Sequence, residues 1–359
     1  LVIPPECGWF TPALLSALPS SMLRSLAIDV FGNYDTQKAL EDFRLQSLVG
    51  CPQLKSLLLL NHTVAFSLIG DMQIFALREL VLVYDFLPGG QTGERTRLNS
   101  YHCLSVLRCC PSLERLCISL HWSAVAAAAN ANIRILCSSV EHDKLKKLCI
   151  IAGDANGELD AFLGHLILPC LYSFELRSRS AAVLSDGFHN FMGNGSMLEE
   201  VALLGRITPV DVIVDRLAIP PNLRSLTLIQ LPHIGSFLQA LSYRSADRVE
   251  GIDERRICRL GDLESLTIEA RTGTLIPLDV MSHFIRSRRW FDRDGRAASG
   301  TIKINHSSRL KLLRVPASQS RNLFEMDGVR ECVMNGLRIE QYEVEHTPAY
   351  LSGKDFFHL

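Results

Sequence analysis

Hydrophobic positions along this chain recur in a short phrase: leucine, two variable residues, leucine, one variable residue, an aliphatic. It reads LRSLAI from Leu23, LKSLLL from Leu54, LRELVL from Leu77, LERLCI from Leu113 and LKKLCI from Leu145. It continues as LYSFEL from Leu171, LEEVAL from Leu198, LRSLTL from Leu223, LESLTI from Leu263 and LKLLRV from Leu310. Period-two alternation with β-branched residues predicts a strand for each phrase. A phrase returning at intervals of 20 to 50 residues predicts a stack of similar units.

Between the phrases the apolar spacing turns helical. It predicts helices over 36–48, 99–109, 124–137, 183–192, 210–217, 234–242 and 279–290. Prolines stand just before several phrases, at Pro19, Pro52, Pro111, Pro169 and the Pro220-Pro221 pair. Each fixes the backbone there and ends any preceding helix. Strand, turn, helix, turn, repeated, predicts parallel strands on one side and helices on the other, and the handedness rule for crossovers makes the superhelix right-handed. The expected fold is α/β: an irregular leucine-rich-repeat solenoid of ribonuclease-inhibitor-like type, strands concave and helices convex.

Successive first leucines are 31, 23, 36, 32, 26, 27, 25, 40 and 47 residues apart. The expected organisation is an N-terminal cap or remnant over 1–20, about ten irregular repeats over 21–316, and a C-terminal cap and tail over 317–359. The two longest intervals predict insertions near 232–262 and 271–309. Regular leucine-rich repeats carry Asn or Cys three residues after the last aliphatic. Here those positions are Phe31, His62, Asp85, His121, Gly153, Arg179, Arg206, Leu231 and Arg271, so the turns must close without an asparagine ladder.

In a strand, alternate residues face opposite sides. With the leucines pointing into the core, the residues between them face the concave side. The candidate protein-binding face is Leu58, Leu60, Val81, Val83, Arg115, Cys117, Lys147, Cys149, Ile151, Glu175 and Arg177. Its apolar members form a stripe across the strands. Such a stripe is either a binding surface or the seat of an inserted loop that covers it. Cys117 and Cys149 should be neighbours on adjacent strands.

Composition adds limits. Hydrophobic residues are 47%, charged residues 21%, and the net charge is −1. No global field therefore favours nucleic acid or a membrane surface. Eleven cysteines are an odd number with no CxxC pair. They are expected as free, buried thiols in a reducing compartment, cytoplasm or nucleus, rather than as a disulfide framework or zinc site. No signal peptide or membrane span is expected, and the Asn61, Asn194 and Asn305 glycosylation triplets are read as chance matches.

No phosphate loop, nucleophile elbow, dinucleotide turn or HExxH helix occurs, so no enzyme, cofactor or metal is expected. His62, His121 and His233 follow strands closely and are read as turn histidines rather than ligands. Arg286, Arg288, Arg289, Arg293 and Arg296, with Trp290 and Phe291 among them, could grip nucleic acid or an acidic peptide. The simpler reading is a helix C-terminus whose arginines complement the dipole.

The phrases CPSLERLCI at 110–118, ILPCLYSFEL at 167–176 and PPNLRSLTL at 220–228 resemble the leucine-rich half of F-box proteins, especially the large fungal sets. So do the segment 280–290, with its arginines and Trp290, and the tail 329–339, read as a closing helix, a glycine and a short strand. The resemblance implies a protein-interaction module that recognises substrates for a Skp–cullin–F-box ubiquitin ligase. It implies a Skp-type adaptor as partner only if an F-box lies upstream of Leu1, since none is visible in this chain. The alternative is a stand-alone leucine-rich-repeat scaffold with no ligase role.

Overall fold

The computed structural model describes residues 22–29, 51–60, 74, 76–83, 100–120, 139–153, 158–208, 210–217, 219–242, 262–269, 276–289 and 310–342. All ten phrases are strands. They are β1 (Ser25–Asp29), β2 (Ser56–Leu60), β3 (Glu79–Val83), β4 (Arg115–Leu120), β6 (Lys147–Ala152), β8 (Ser173–Val183), β9 (Glu200–Thr208), β10 (Ser225–Ile229), β11 (Ser265–Glu269) and β12 (Leu312–Pro316). An eleventh, β13 (Arg338–Tyr342), follows, and all eleven form one sheet in chain order.

Every pairing in this sheet is parallel, and the first residues of all eleven strands are partners, from Ser25 through Ser56, Glu79, Arg115 and Lys147 to Arg338. Register is held before each strand begins. The residue after each first leucine donates its N–H to the carbonyl of its counterpart one rung earlier: Lys55 to Arg24 (2.8 Å), Arg78 to Lys55 (2.8 Å), Glu114 to Arg78 (2.7 Å), and so on to Lys311 on Glu264 (2.7 Å). A one-residue slip would send every leucine to the wrong face, and no rung slips at its start.

Eight helices are described: α1 (Ser100–Cys109), α2 (Glu158–Gly164), α3 (Asp186–Asn194), α4 (Val210–Leu217), α5 (Ile234–Leu241), α6 (Leu278–Arg289), α7 (Ala317–Phe324) and α8 (Asp327–Met334). From α1 to α6 each packs on the next, and α8 packs on α6. Their apolar faces share one core with the phrase leucines, including Phe162, Phe174, Phe188, Phe237 and Phe284, all fully buried. In β8 a phenylalanine replaces the second leucine. The Phe191 ring of α3 tilts onto Phe174 at 4.8 Å, a contact worth about 1 kcal/mol beyond its area.

The helices expected over 210–217, 234–242 and 279–290 occur within a residue of those bounds, as does the one over 99–109. The helix expected over 183–192 starts instead at Asp186, because β8 runs on to Val183. Helices expected over 36–48 and 124–137 lie outside the described residues. Parts of the two long intervals are the helices α5 and α6. A second sheet, unforeseen, pairs β5 (Val140–Glu141) with β7 (Leu166–Ile167).

The missing asparagine ladder has a structural counterpart. Arg179 and Arg206, at two of those turn positions, lie within strands, since β8 and β9 continue past the phrase. Their pairing shifts register between Ser178 and Ala182. Gly205 takes φ +97 at that irregularity, opposite the Ser178 carbonyl.

Asp160 on α2 ties the next repeat in place. Its carboxylate accepts the Ser185 hydroxyl (2.6 Å) and the N–H groups of Ser185 (3.0 Å), Gly187 (3.1 Å) and Phe188 (3.1 Å) at the start of α3. Burial alone would raise the Asp160 pKa, but these hydrogen bonds outweigh it and hold the pKa below the usual aspartate value. A depressed folded pKa contributes stability above the unfolded value that is lost as pH falls through the folded one. Asp160→Ala should therefore cost about 1–2 kcal/mol at neutral pH. Urea unfolding at about pH 7 and again near pH 3 should show the gap between wild type and variant closing in acid.

Candidate interaction face

The side of the sheet away from the helices carries the residues between the leucines, in three rows. The first row is Ser25, Ser56, Glu79, Arg115, Lys147, Ser173, Glu200, Ser225, Ser265, Leu312 and Arg338. The second runs from Ala27 through Leu58, Val81, Cys117, Cys149 and Glu175 to Ala202, Thr227, Thr267, Arg314 and Glu340. In the third, Asp29 pairs with Leu60, Leu60 with Val83, Ser119 with Ile151 and Ile151 with Arg177. That row continues through Leu204 and Ile229 to Glu269.

The expected stripe exists, but its apolar members are not open to solvent. Leu60, Val81, Val83, Cys117, Cys149 and Ile151 are buried and form a second core, separate from the one behind the sheet, with Leu58 partly buried against it. Of the two readings of this stripe, burial is the one observed.

The covered region ends at β8. There the row positions after Cys149 and Ile151 are Glu175 and Arg177, whose side chains meet at 2.7 Å with Arg177 only 8% exposed. Burial alone would lower the Arg177 pKa; the Glu175 carboxylate reverses that and raises it. Beyond this pair the face changes character. Ala202, Thr227 and Thr267 are small, half-buried and in register, followed by the exposed Arg314 with Glu340 at 2.9 Å. The second and third rows of the front face are thus largely buried from β2 to β6, the first row stays half-exposed there, and the face is partly open from β9 to β13.

Above the first row runs the ridge made by the residues just before each strand. Glu114 sits between Arg78 (3.6 Å) and Lys146 (2.9 Å). The hydrogen bond from Lys146 and these cations hold its carboxyl below the usual glutamate range against a smaller effect of burial. Farther along, the Tyr172 hydroxyl donates to Glu200 at 2.8 Å. That bond, with some burial and the charges of Glu200 and Glu199, pushes the phenol up to about 12. Lys311 meets Glu264 at 2.7 Å.

Cys117 and Cys149 are register partners and both are free thiols, as are all eight described cysteines. The hydrogen bond between them, followed by burial, raises the Cys149 pKa. Burial pushes Cys110 up to about 12 and also raises Cys51. Thiolate is the reactive form, so these groups should be inert in the folded protein. In native protein treated with Ellman's reagent, peptide mapping should find Cys170, the exposed one among the described cysteines, modified and Cys117 and Cys149 spared. In denaturant all three should react.

His142, which sequence reasoning passed over, is buried in the turn before β6. Its Nδ1 accepts the Leu145 N–H at 3.2 Å, so Nε2 carries the proton and donates to the Cys110 carbonyl at 2.9 Å. It joins the α1 end of one repeat to the next strand. Its signal in the sequence was its place three residues before Leu145, the first leucine of a phrase. His233 is exposed at φ 57 beside α5, while His62 and His121 lie outside the described residues.

In the arginine cluster, Arg288 is buried: its Nη2 donates to the Leu241 carbonyl at 2.7 Å, at the end of α5, and it lies over the Phe284 ring. It serves a neighbouring helix end and is not presented to a ligand. Arg286 is exposed; Arg293, Arg296, Trp290 and Phe291 lie outside the described residues. Among the described residues no group of three metal-ligating side chains occurs, and no helix is long and apolar enough to cross a membrane.

These features define a mixed α/β protein with one open, sequentially ordered parallel sheet, helices behind it and a two-part front face. Compared with known proteins, the chain matches no family model and no curated protein.

Proposed function

We propose that this chain is an irregular, right-handed leucine-rich-repeat solenoid of ribonuclease-inhibitor-like type that works by binding another protein. In this reading it is the substrate-recognition part of a Skp–cullin–F-box ubiquitin-ligase receptor, without enzymatic chemistry of its own. The observation that carries the reading is the sheet: eleven parallel strands in strict chain order, the described helices packed to the rear, and a front face that stays partly open over five strands. Right-handed crossovers follow from the parallel order. An array of this kind offers length rather than a pocket, which suits a protein partner.

The ligase role rests on the resemblance of 110–118, 167–176, 220–228 and 329–339 to F-box proteins. In the tail, α8 ends at Met334, Gly336 has φ 96 and β13 begins at Arg338, the helix–glycine–strand order the resemblance implies. The test is association of the complete gene product with a purified Skp-type adaptor. Stable co-elution is the expected result; separate elution removes the ligase role and leaves the stand-alone scaffold.

A further inference from the structure

Ridge and first row together carry a band of charge along the sheet, and its two halves differ. Over β1 to β6 the cations are Arg24, Lys55, Arg78, Arg115, Lys146 and Lys147, against two anions, Glu79 and Glu114: an excess of four. Glu79 takes Arg115 at 3.2 Å, and Glu114 is shared by Arg78 and Lys146. Arg24, Lys55 and Lys147 make no ion pair among the described residues. Over β8 to β13 the same positions hold Arg224, Lys311 and Arg338 against Glu199, Glu200 and Glu264, which balance.

The first three ridge positions are therefore consecutive cations. Their backbones are fixed to one another by the 2.8 Å bonds of the rungs, which sets neighbouring side chains about 4.8 Å apart. Like charges on adjacent strands repel and lower stability. Neither Arg24 nor Lys55 makes an ion pair among the described residues: Glu79, whose N–H donates to the Lys55 carbonyl at 2.9 Å, turns its carboxylate to Arg115 instead.

We propose that the ridge and first row of β1 to β6 form a docking strip for an acidic segment of another protein. From β1 to β6 the strip crosses four inter-strand gaps, about 19 Å, the length of about six residues of extended chain. An extended segment rich in Asp or Glu lies along it with its carboxylates over Arg24, Lys55, Arg78 and Lys147. Nucleic acid fits less well: the strip's described cations have no aromatic platforms among them, which single strands require, and the protein as a whole is not basic.

This strip gives a chemistry to the partner in the protein-binding reading above and rests on that reading. The test uses the full chain and a fluorescently labelled oligoglutamate of about eight residues, followed by anisotropy. Binding is expected, and it should weaken with added salt as exposed ion pairs are screened. The double variant Arg24→Glu/Lys55→Glu should lose at least about tenfold in affinity with an unchanged urea midpoint, since both side chains are exposed. Lys55→Arg should retain binding, and Arg224→Glu, in the balanced half, should leave it unaltered. The proposal is overturned if the peptide does not bind, if the double variant binds as well as wild type, or if an oligouridylate of equal charge binds more tightly. Association with the Skp-type adaptor, which lies elsewhere in the ligase reading, should be indifferent to the double variant, so the two failures are distinguishable.

Discussion

Val81→Glu should lower stability by at least about 4 kcal/mol, enough to unfold many domains of ordinary stability, whereas Thr227→Glu should cost less than about 1 kcal/mol. Both positions belong to the same row of the same face. Val81 is 0% exposed within the front cluster, between Leu58 and Cys117. A carboxylate there must either protonate or force the cover away, and each route costs several kcal/mol. Thr227 lies half-buried between Ala202 and Thr267, where a glutamate can turn its head to water. Urea midpoints of the two variants measure the contrast. Equal, small effects would mean that the front cluster is not a core.

Gly205→Ala should be about as damaging, with a loss of about 3 kcal/mol or more. Two independent causes act at that position. The backbone sits at φ +97, which side chains rarely adopt, and an added Cβ would lie 1.9 Å from the Ser178 carbonyl oxygen of the neighbouring strand. Since the clash is with backbone, no rotamer relieves it, and β8 and β9 must separate where their register shifts. Gly193→Ala is the matching control: it lies in α3 with nothing within 4 Å of the added carbon. There the helical preference for alanine should leave stability unchanged or raise it by up to about 1 kcal/mol. Thermal or urea unfolding of the pair should show a large loss for Gly205→Ala and no loss for Gly193→Ala.

The strands were legible because burial and alternation coincide. In LKSLLL the residues Leu54, Leu57 and Leu59 face the helices and are fully buried, and the first leucine of every later phrase is buried too, while Leu23 of the first phrase is half-buried. Helices such as Val210–Leu217 were legible because their apolar residues Ile213, Val214 and Leu217 fall on one stripe. The short α2 escaped notice because its seven residues hold too few turns to show a period; Gly164 closes it where Gly187 of α3 comes close. The full length of β8 escaped as well, since Arg177, Ser178, Arg179 and Ser180 look like a polar loop.

The front face was legible in register and not in exposure. Alternation told which side Val81, Cys117 and Cys149 occupy. It could not tell that the side is covered, because a covered apolar stripe and an open one have the same composition. Glu175 and Arg177 were named as face residues without any sign that they would meet each other at the boundary. Their spacing, i and i+2 on a strand, was the available signal, since it puts both on one side. His142 and Asp160 each join one repeat to the next through hydrogen bonds across 25 or more residues, which no local pattern discloses.

Cross-linking tests the ladder most directly. Cysteines placed at Ser225 and Ser265, 40 residues apart in sequence, occupy partner positions on adjacent rungs, about 4.8 Å apart. A bifunctional thiosulfonate of about that span, with linked peptides mapped by mass spectrometry in a Cys170→Ser background, should join them quantitatively. The same reagent should not join cysteines at Ser56 and Ser265, which β3 to β10 separate. Linkage of the second pair, or failure of the first in folded protein, would contradict a single sheet built in chain order.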